Sequence, residues 1–239
     1  MKAKKLVENI LGSSDLKQPR SQDSYLKALG RAKAAGQKRA AAAPFAEKLR
    51  SLTLVSRLLE ESLMEALPTV LQELTRVLDG AVRDRIIERF ALAGGFAVIY
   101  YGAPIHTADA DFLVVFPVAA SGLLNPSPIF GYFERRGAHW DGEHLVFNGL
   151  KFQLVPANEG LNAEALATAP ETPDGFPVVD LEHLIAMKLA VGRGKDRLHI
   201  SHLVRSGAAL DQGKLADILA RYHLADRWAR FQAESTDWQ

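Results

Sequence analysis

The chain has no cysteine, so disulfides, thiolate nucleophiles, zinc knuckles and iron–sulfur clusters play no part in it. Aromatic residues are sparse at 8%, and no stretch interleaves them with basic residues, so nothing marks a dedicated platform for single-stranded nucleic acid. Long apolar runs are missing too. The longest central stretch without a charge or amide, residues 91–105, is interrupted by Gly94, Gly95, Gly102 and Pro104 and falls short of a membrane span. Residues 1–13 carry Lys2, Lys4 and Lys5, but Glu8 and Asn9 break the apolar residues that a secretory signal needs. These absences predict a soluble, cytoplasmic chain with no membrane partner.

What is present is ordinary in bulk and uneven in distribution. At 239 residues with 48% hydrophobic content, the chain can bury a core without covalent staples. The net charge of +1 conceals an asymmetry, because residues 1–50 hold 12 Lys/Arg against 4 Asp/Glu. The remainder is therefore acidic. A basic arm on an acidic body can touch nucleic acid or a protein partner, dock on its own body, or stay a solvated leader.

The pattern divides the chain into a basic, flexible leader (1–43), a helical extension (44–89), a mixed core (90–179) and a helical C-terminal region (180–239). From Pro44, the apolar residues Phe45, Leu49, Leu52, Val55, Leu59 and Leu63 recur at helical spacing. Pro68 is expected to interrupt that helix. A second then runs through Val70, Leu71, Leu74 and Leu78, and a third from Gly80 to about Arg89. Phe90 to Ala93 reads as a buried strand, Phe96 to Tyr101 as a short helix, and Asp111 to Phe116 as a strand. Asn148-Gly149 predicts a hairpin between 144–147 and 150–155. Phe176 to Val179 reads as a further strand, and Asp180 as the cap of a helix starting at Leu181. The rest, to about Ala233, is helical in three or four pieces. The fold class is α+β.

Two features carry chemistry. Gly94-Gly95, between a strand and a helix, lets the backbone turn sharply and approach a bulky ligand, and the following amides suit a phosphate. Neither a Walker loop nor the three-glycine dinucleotide pattern is present. Asp109 and Asp111 stand one residue apart at a strand start, so alternation puts both carboxylates on one face. Hard oxygen pairs suit magnesium or manganese, not zinc, although an isolated Asp-x-Asp also opens many solvated turns. Lys188 continues the apolar stripe of Leu181, Leu184 and Ile185, so its ammonium needs an anionic partner or must snorkel outwards. Arg193 and Lys195 can reach phosphates or serve as exposed turn residues. Asp196 can act as a helix N-terminal carboxylate or stand behind the site. His199 and His202 have metal-compatible spacing with no third ligand evident.

Strand, Gly-Gly, short helix and then Thr107-x-Asp109-x-Asp111, with Tyr101-Gly-Ala-Pro between, resembles the nucleotidyltransferase superfamily with its polymerase-β-like fold. The likeness is to small bacterial members found in abortive-infection and toxin–antitoxin operons. It extends to a later helix bearing Lys188 and a turn through Arg193, Lys195 and Asp196, and covers roughly residues 85–225. The resemblance implies a mixed β-sheet flanked by helices. It also implies metal-dependent transfer of a nucleoside monophosphate from a triphosphate such as ATP to a protein, RNA or small-molecule acceptor. In that scheme Gly94, Gly95, Thr107, Lys188, Arg193 and Lys195 hold the nucleotide, and Asp109 and Asp111 ligate Mg2+ or Mn2+. Asp109, Asp111 and Lys188 then carry catalysis.

This chain departs from that pattern at two places. The neighbouring strand, where relatives carry a third carboxylate, has Gln153, and Glu143 can substitute only if the register permits. Relatives often carry Arg two residues before the threonine, where this chain has Ile105 beside His106. An amide is neither a base nor a strong ligand, so a noncatalytic nucleotide- or partner-binding member is the second reading.

Overall fold

The computed structural model describes residues 61–118, 125, 127–142 and 144–236. The leader, residues 44–60 of the helix expected from Pro44 to Pro68, and Glu143 lie outside the described residues.

Helix α1 (Glu61–Arg83) runs unbroken through Pro68 and Gly80, where interruptions were expected. Proline forfeits one hydrogen bond to the preceding turn. Here the helix is held instead by burial of Val70, Leu71, Leu74, Leu78 and Ala81 against the core. Gly80 serves packing, since a Cβ there would stand 2.6 Å from the Tyr132 hydroxyl. The helix ends at Arg83, short of Arg89, in a turn where Arg85 takes a positive φ.

Strand β1 (Phe90–Ala93) leads directly into helix α2 (Gly94–Tyr100), and strand β2 (Asp109–Val114) follows. Helix α3 (Ser127–Glu134) precedes the edge strand β3 (His139–Asp141). Strands β4 (His144–Phe147) and β5 (Leu150–Pro156) form the expected hairpin, with Asn148 and Gly149 both at positive φ. The sheet order is β1-β2-β5-β4-β3, with β2 and β5 parallel and the other pairs antiparallel. Strand β2 begins at Asp109, two residues earlier than expected, because its pairing with β5 starts at Asp109 opposite Lys151.

Alternation divides the sheet into two faces. Ala110, Phe112 and Phe152 share one face and are fully buried, and the Phe133 ring of α3 packs on Phe152 at 5.1 Å. Asp109, Asp111 and Gln153 project from the other.

Helix α4 (Gly160–Ala167) follows β5. Phe176 to Val179 is not a strand. It lies beside β1 through a single bridge, with the Leu92 amide donating to Pro177 O at 2.8 Å and the Val179 amide to Leu92 O at 2.9 Å. Pro177 has no N–H to extend that pairing. Four helices close the chain: α5 (Leu181–Val191), α6 (Gly194–Arg205), α7 (Gln212–Arg221) and α8 (Ala225–Thr236). Asp180 caps α5 as expected, accepting from the His183 amide at 3.0 Å. No described helix is long and apolar enough to cross a membrane.

Candidate active site

The strand-to-helix turn and the acidic strand meet. Ala93 pairs with Asp111 across the β1–β2 ladder, and the next residue, Gly94, folds back over β2 at φ +61. A Cβ on Gly94 would collide with the Asp111 carboxylate, standing 2.6 Å from its Cγ, and a Cβ on Gly95 would stand 2.6 Å from Cβ of Thr107. The glycine pair is therefore a steric requirement of this junction. The Thr107 hydroxyl donates to Asp109, at 3.3 Å to the backbone oxygen and 3.4 Å to Oδ1.

Asp109 and Asp111 share a face and are both partly buried. Among the described residues, the Asp111 carboxylate accepts no hydrogen bond and forms no ion pair. Burial pushes its pKa up and the Asp109 charge adds to that, against a smaller opposing pull from Lys188, Lys195 and Arg193. A half-buried carboxylate beside a second one, with no protein partner, is a site short of positive charge.

Lys188 lies on the inner face of α5 with 7% exposure, so it does not snorkel out. Its Nζ stands 3.8 Å from Asp196 Oδ1. Burial lowers its pKa, and the Asp196 and Asp111 charges partly restore it. Asp196, almost wholly buried at the start of α6, also accepts from Arg193 Nε at 2.8 Å and from the Arg193 amide at 3.2 Å. Burial alone would raise the Asp196 pKa, but the Arg193 hydrogen bond and the Lys188 charge outweigh it and hold the group below its ordinary value. One carboxylate thus ties together two of the three cations whose field reaches Asp111. Lys195 is exposed and contributes only that field.

Gln153 sits in register with Asp111 on the parallel neighbour. Its Nε2 stands 2.7 Å from His144 Nε2, and the same ring nitrogen lies 3.9 Å from Asp109 Oδ2. His144 was not singled out in the sequence, although the two-residue hairpin loop alone sets 144 opposite 153. Ile105 is buried in the core, so that position serves packing.

The donor set fits a hard divalent cation in part. Two carboxylates share one face, and one of them is unpartnered. Among the described residues, no three His, Asp or Glu side chains are disposed to hold an ion by themselves. An ion here would draw its other oxygens from phosphate and water, the usual habit of magnesium. Among the described residues, His199 and His202 gain no third ligand, and His199 Nδ1 is buried without a hydrogen-bond partner.

No protein-family model matches the sequence, and no curated protein matches it. Among solved structures, the chain is similar to the antibiotic-resistance factor ANT(2'')-Ia, whose solution structure reveals substrate-regulated conformation dynamics. The two are 14% identical, the match covers 71% of this chain and 98% of that one, and the TM-score is 0.41. The functional reading of this chain rests on its own residues.

Proposed function

We propose that this chain is a metal-dependent nucleotidyltransferase. The reaction moves a nucleoside monophosphate from a nucleoside triphosphate to an acceptor hydroxyl or amine on a protein, an RNA end or a small molecule. The observation that carries this reading is the unpartnered Asp111 carboxylate, seated beside Asp109 and directly against the Gly94 backbone. Asp109 and Asp111 would hold Mg2+ or Mn2+, which supplies charge neutralisation at the phosphates. The Gly94-Gly95 backbone offers the close approach a triphosphate needs. Lys188, with Arg193 and Lys195 behind it, faces the same point with positive charge, suited to pyrophosphate as it leaves. The acceptor oxygen or nitrogen attacks the α-phosphorus, the bond to the bridging α–β oxygen breaks, and the acceptor proton passes to solvent. Most of the rate enhancement is then positioning and electrostatics.

A second reading is favoured by Gln153, which puts an amide where a third carboxylate would sit. In it the chain binds nucleotide or a partner without turnover, and the basic leader, residues 1–43, is the interaction element for a protein or RNA, as in toxin–antitoxin systems.

Incubating the full chain with Mg2+ or Mn2+ and each labelled triphosphate separates the two. Label transfer or pyrophosphate release that vanishes in Asp109→Ala and Asp111→Ala supports catalysis. Nucleotide binding with no release, alike in wild type and both variants, supports the second reading.

A further inference from the structure

We propose that His144 is a side-chain ligand to the cation held by Asp109 and Asp111, taking the place of a third carboxylate; this rests on the reading of those aspartates as a cation site. Three neighbouring strands place His144, Gln153 and Asp111 in one row. Gln153 is paired with Asp111 across β2–β5, and the β4–β5 ladder, with Leu145 opposite Phe152, carries on to set His144 opposite Gln153. Cross-strand neighbours on one face point the same way. The imidazole therefore leans over the strand that bears the amide and reaches the acidic strand beyond it.

The atoms that approach are the ones ligation needs. An amide Nε2 can only donate, so at 2.7 Å from Gln153 Nε2 the His144 Nε2 accepts, and its lone pair points into the row. That nitrogen stands 3.9 Å from Asp109 Oδ2. Two donors each ~2.1 Å from a shared cation lie between ~3.0 Å apart when adjacent and ~4.2 Å when opposite. The observed separation falls inside that span. Lys151, opposite Asp109 across β2–β5, is turned to Asp141 at 2.7 Å and does not compete for the aspartates.

The amide and a cation want the same lone pair. An ion that takes the His144 ring nitrogen therefore displaces the Gln153 amide from it. A nitrogen donor also changes selectivity. Imidazole favours the later first-row metals over magnesium, so the site should rank Co2+ above Mg2+ more steeply than carboxylates alone would.

The test is pulsed electron paramagnetic resonance on the full chain loaded with Mn2+ and inorganic pyrophosphate, a probe that contains no nitrogen. The expected result is a nitrogen hyperfine coupling that changes when histidine carries the heavy nitrogen isotope. It should vanish in His144→Ala, with Mn2+ affinity weaker by roughly tenfold or more. Gln153→Ala should keep the coupling and bind Mn2+ at least as tightly as wild type. Bound Mn2+ that depends on Asp111 yet shows no histidine coupling in the wild-type chain overturns the role of His144 and leaves the aspartate site standing. Mn2+ binding that is absent, or indifferent to Asp109→Ala and Asp111→Ala, overturns both.

Discussion

Gly94 rests on the Asp111 carboxylate so closely that the smallest side chain would fall 2.6 Å from its Cγ. The backbone there also takes φ +61, so two separate costs attend any substitution. Gly160 separates them: its φ is +64, and a Cβ there would meet nothing within 4 Å. Gly160→Ala should therefore lose about 1 kcal/mol of stability and keep full activity. Gly94→Ala should bear the same strain and, by pushing Asp111 aside, lower pyrophosphate release by about a hundredfold or more. Equal rates in the two variants would remove Gly94 from the site.

Lys188 offers a test of charge apart from packing. Its stem is buried, and methionine fills similar volume without the ammonium. Arg193 remains to pair with Asp196 after the change, so that carboxylate is not stranded. Lys188→Met should keep the urea midpoint close to wild type while the rate of pyrophosphate release falls by roughly a hundredfold or more. A variant that is stable and fully active would reduce Lys188 to a structural ion pair.

The features that could be read without coordinates were those fixed by local chemistry. Asn148-Gly149 set the β4–β5 register and Asp180 announced its helix, while the nearness of Gly94 to Asp111 was implied only by the resemblance that the strand–Gly-Gly–Asp-x-Asp order carries. Local signals failed where tertiary packing decided. Pro68 and Gly80 look like breaks, yet α1 passes through both because its apolar stripe is buried and Gly80 makes room for Tyr132. Phe176 to Val179 has strand composition, but Pro177 limits it to isolated bridges, Val178 with Leu92 and Pro177 with Glu171. The tie from Asp196 to Lys188 depends on the angle between α5 and α6, which no spacing encodes, whereas its tie to Arg193 is a local contact three residues apart. His144 was legible in principle from the hairpin register. It was hidden because a histidine at a strand start carries no motif.

A buried polar cluster joins α4, α5 and α7 away from the acidic strand. His183 is 1% exposed, and its Nδ1 stands 2.8 Å from both Asp180 oxygens while its Nε2 lies 3.3 Å from Glu164. Glu164 also accepts from Tyr222 at 2.6 Å and Arg221 at 2.8 Å, and Lys214 approaches Asp180 at 3.0 Å. Removing the central ring opens a cavity and takes a buried partner from both Asp180 and Glu164, leaving Asp180 to Lys214, Thr168 and a backbone amide. His183→Ala should cost about 3 kcal/mol or more by urea unfolding, and Tyr222→Phe about 1 kcal/mol. Neither residue touches the proposed nucleotide site, so activity at low denaturant should persist. A His183→Ala midpoint equal to wild type would show the cluster to be ornamental.

His199 gives the fold a pH dependence whose sign can be worked out. Burial, reinforced by the Lys188 charge, lowers its pKa from 6.5 to about 4. The unfolded chain therefore takes up this proton first as pH falls. The contribution of His199 to stability is complete above about pH 6.5, declines through the interval down to about pH 4, and changes no further below it. Asp180 and Asp196, both held below the ordinary carboxylate value, act in a different window. Their stabilisation is complete above about pH 4 and is lost only as the pH falls through their lowered values. Urea unfolding at about pH 7 and about pH 4.5 spans most of the histidine window, with the raised Asp111 carboxyl acting in the opposite sense, so the comparison is made between wild type and variant. Wild type should be less stable at the lower pH, and His199→Gln should flatten that difference. Some slope should remain from His202, which burial and Arg205 also lower. A slope unchanged by His199→Gln would mean that the imidazole is free to protonate in the folded chain.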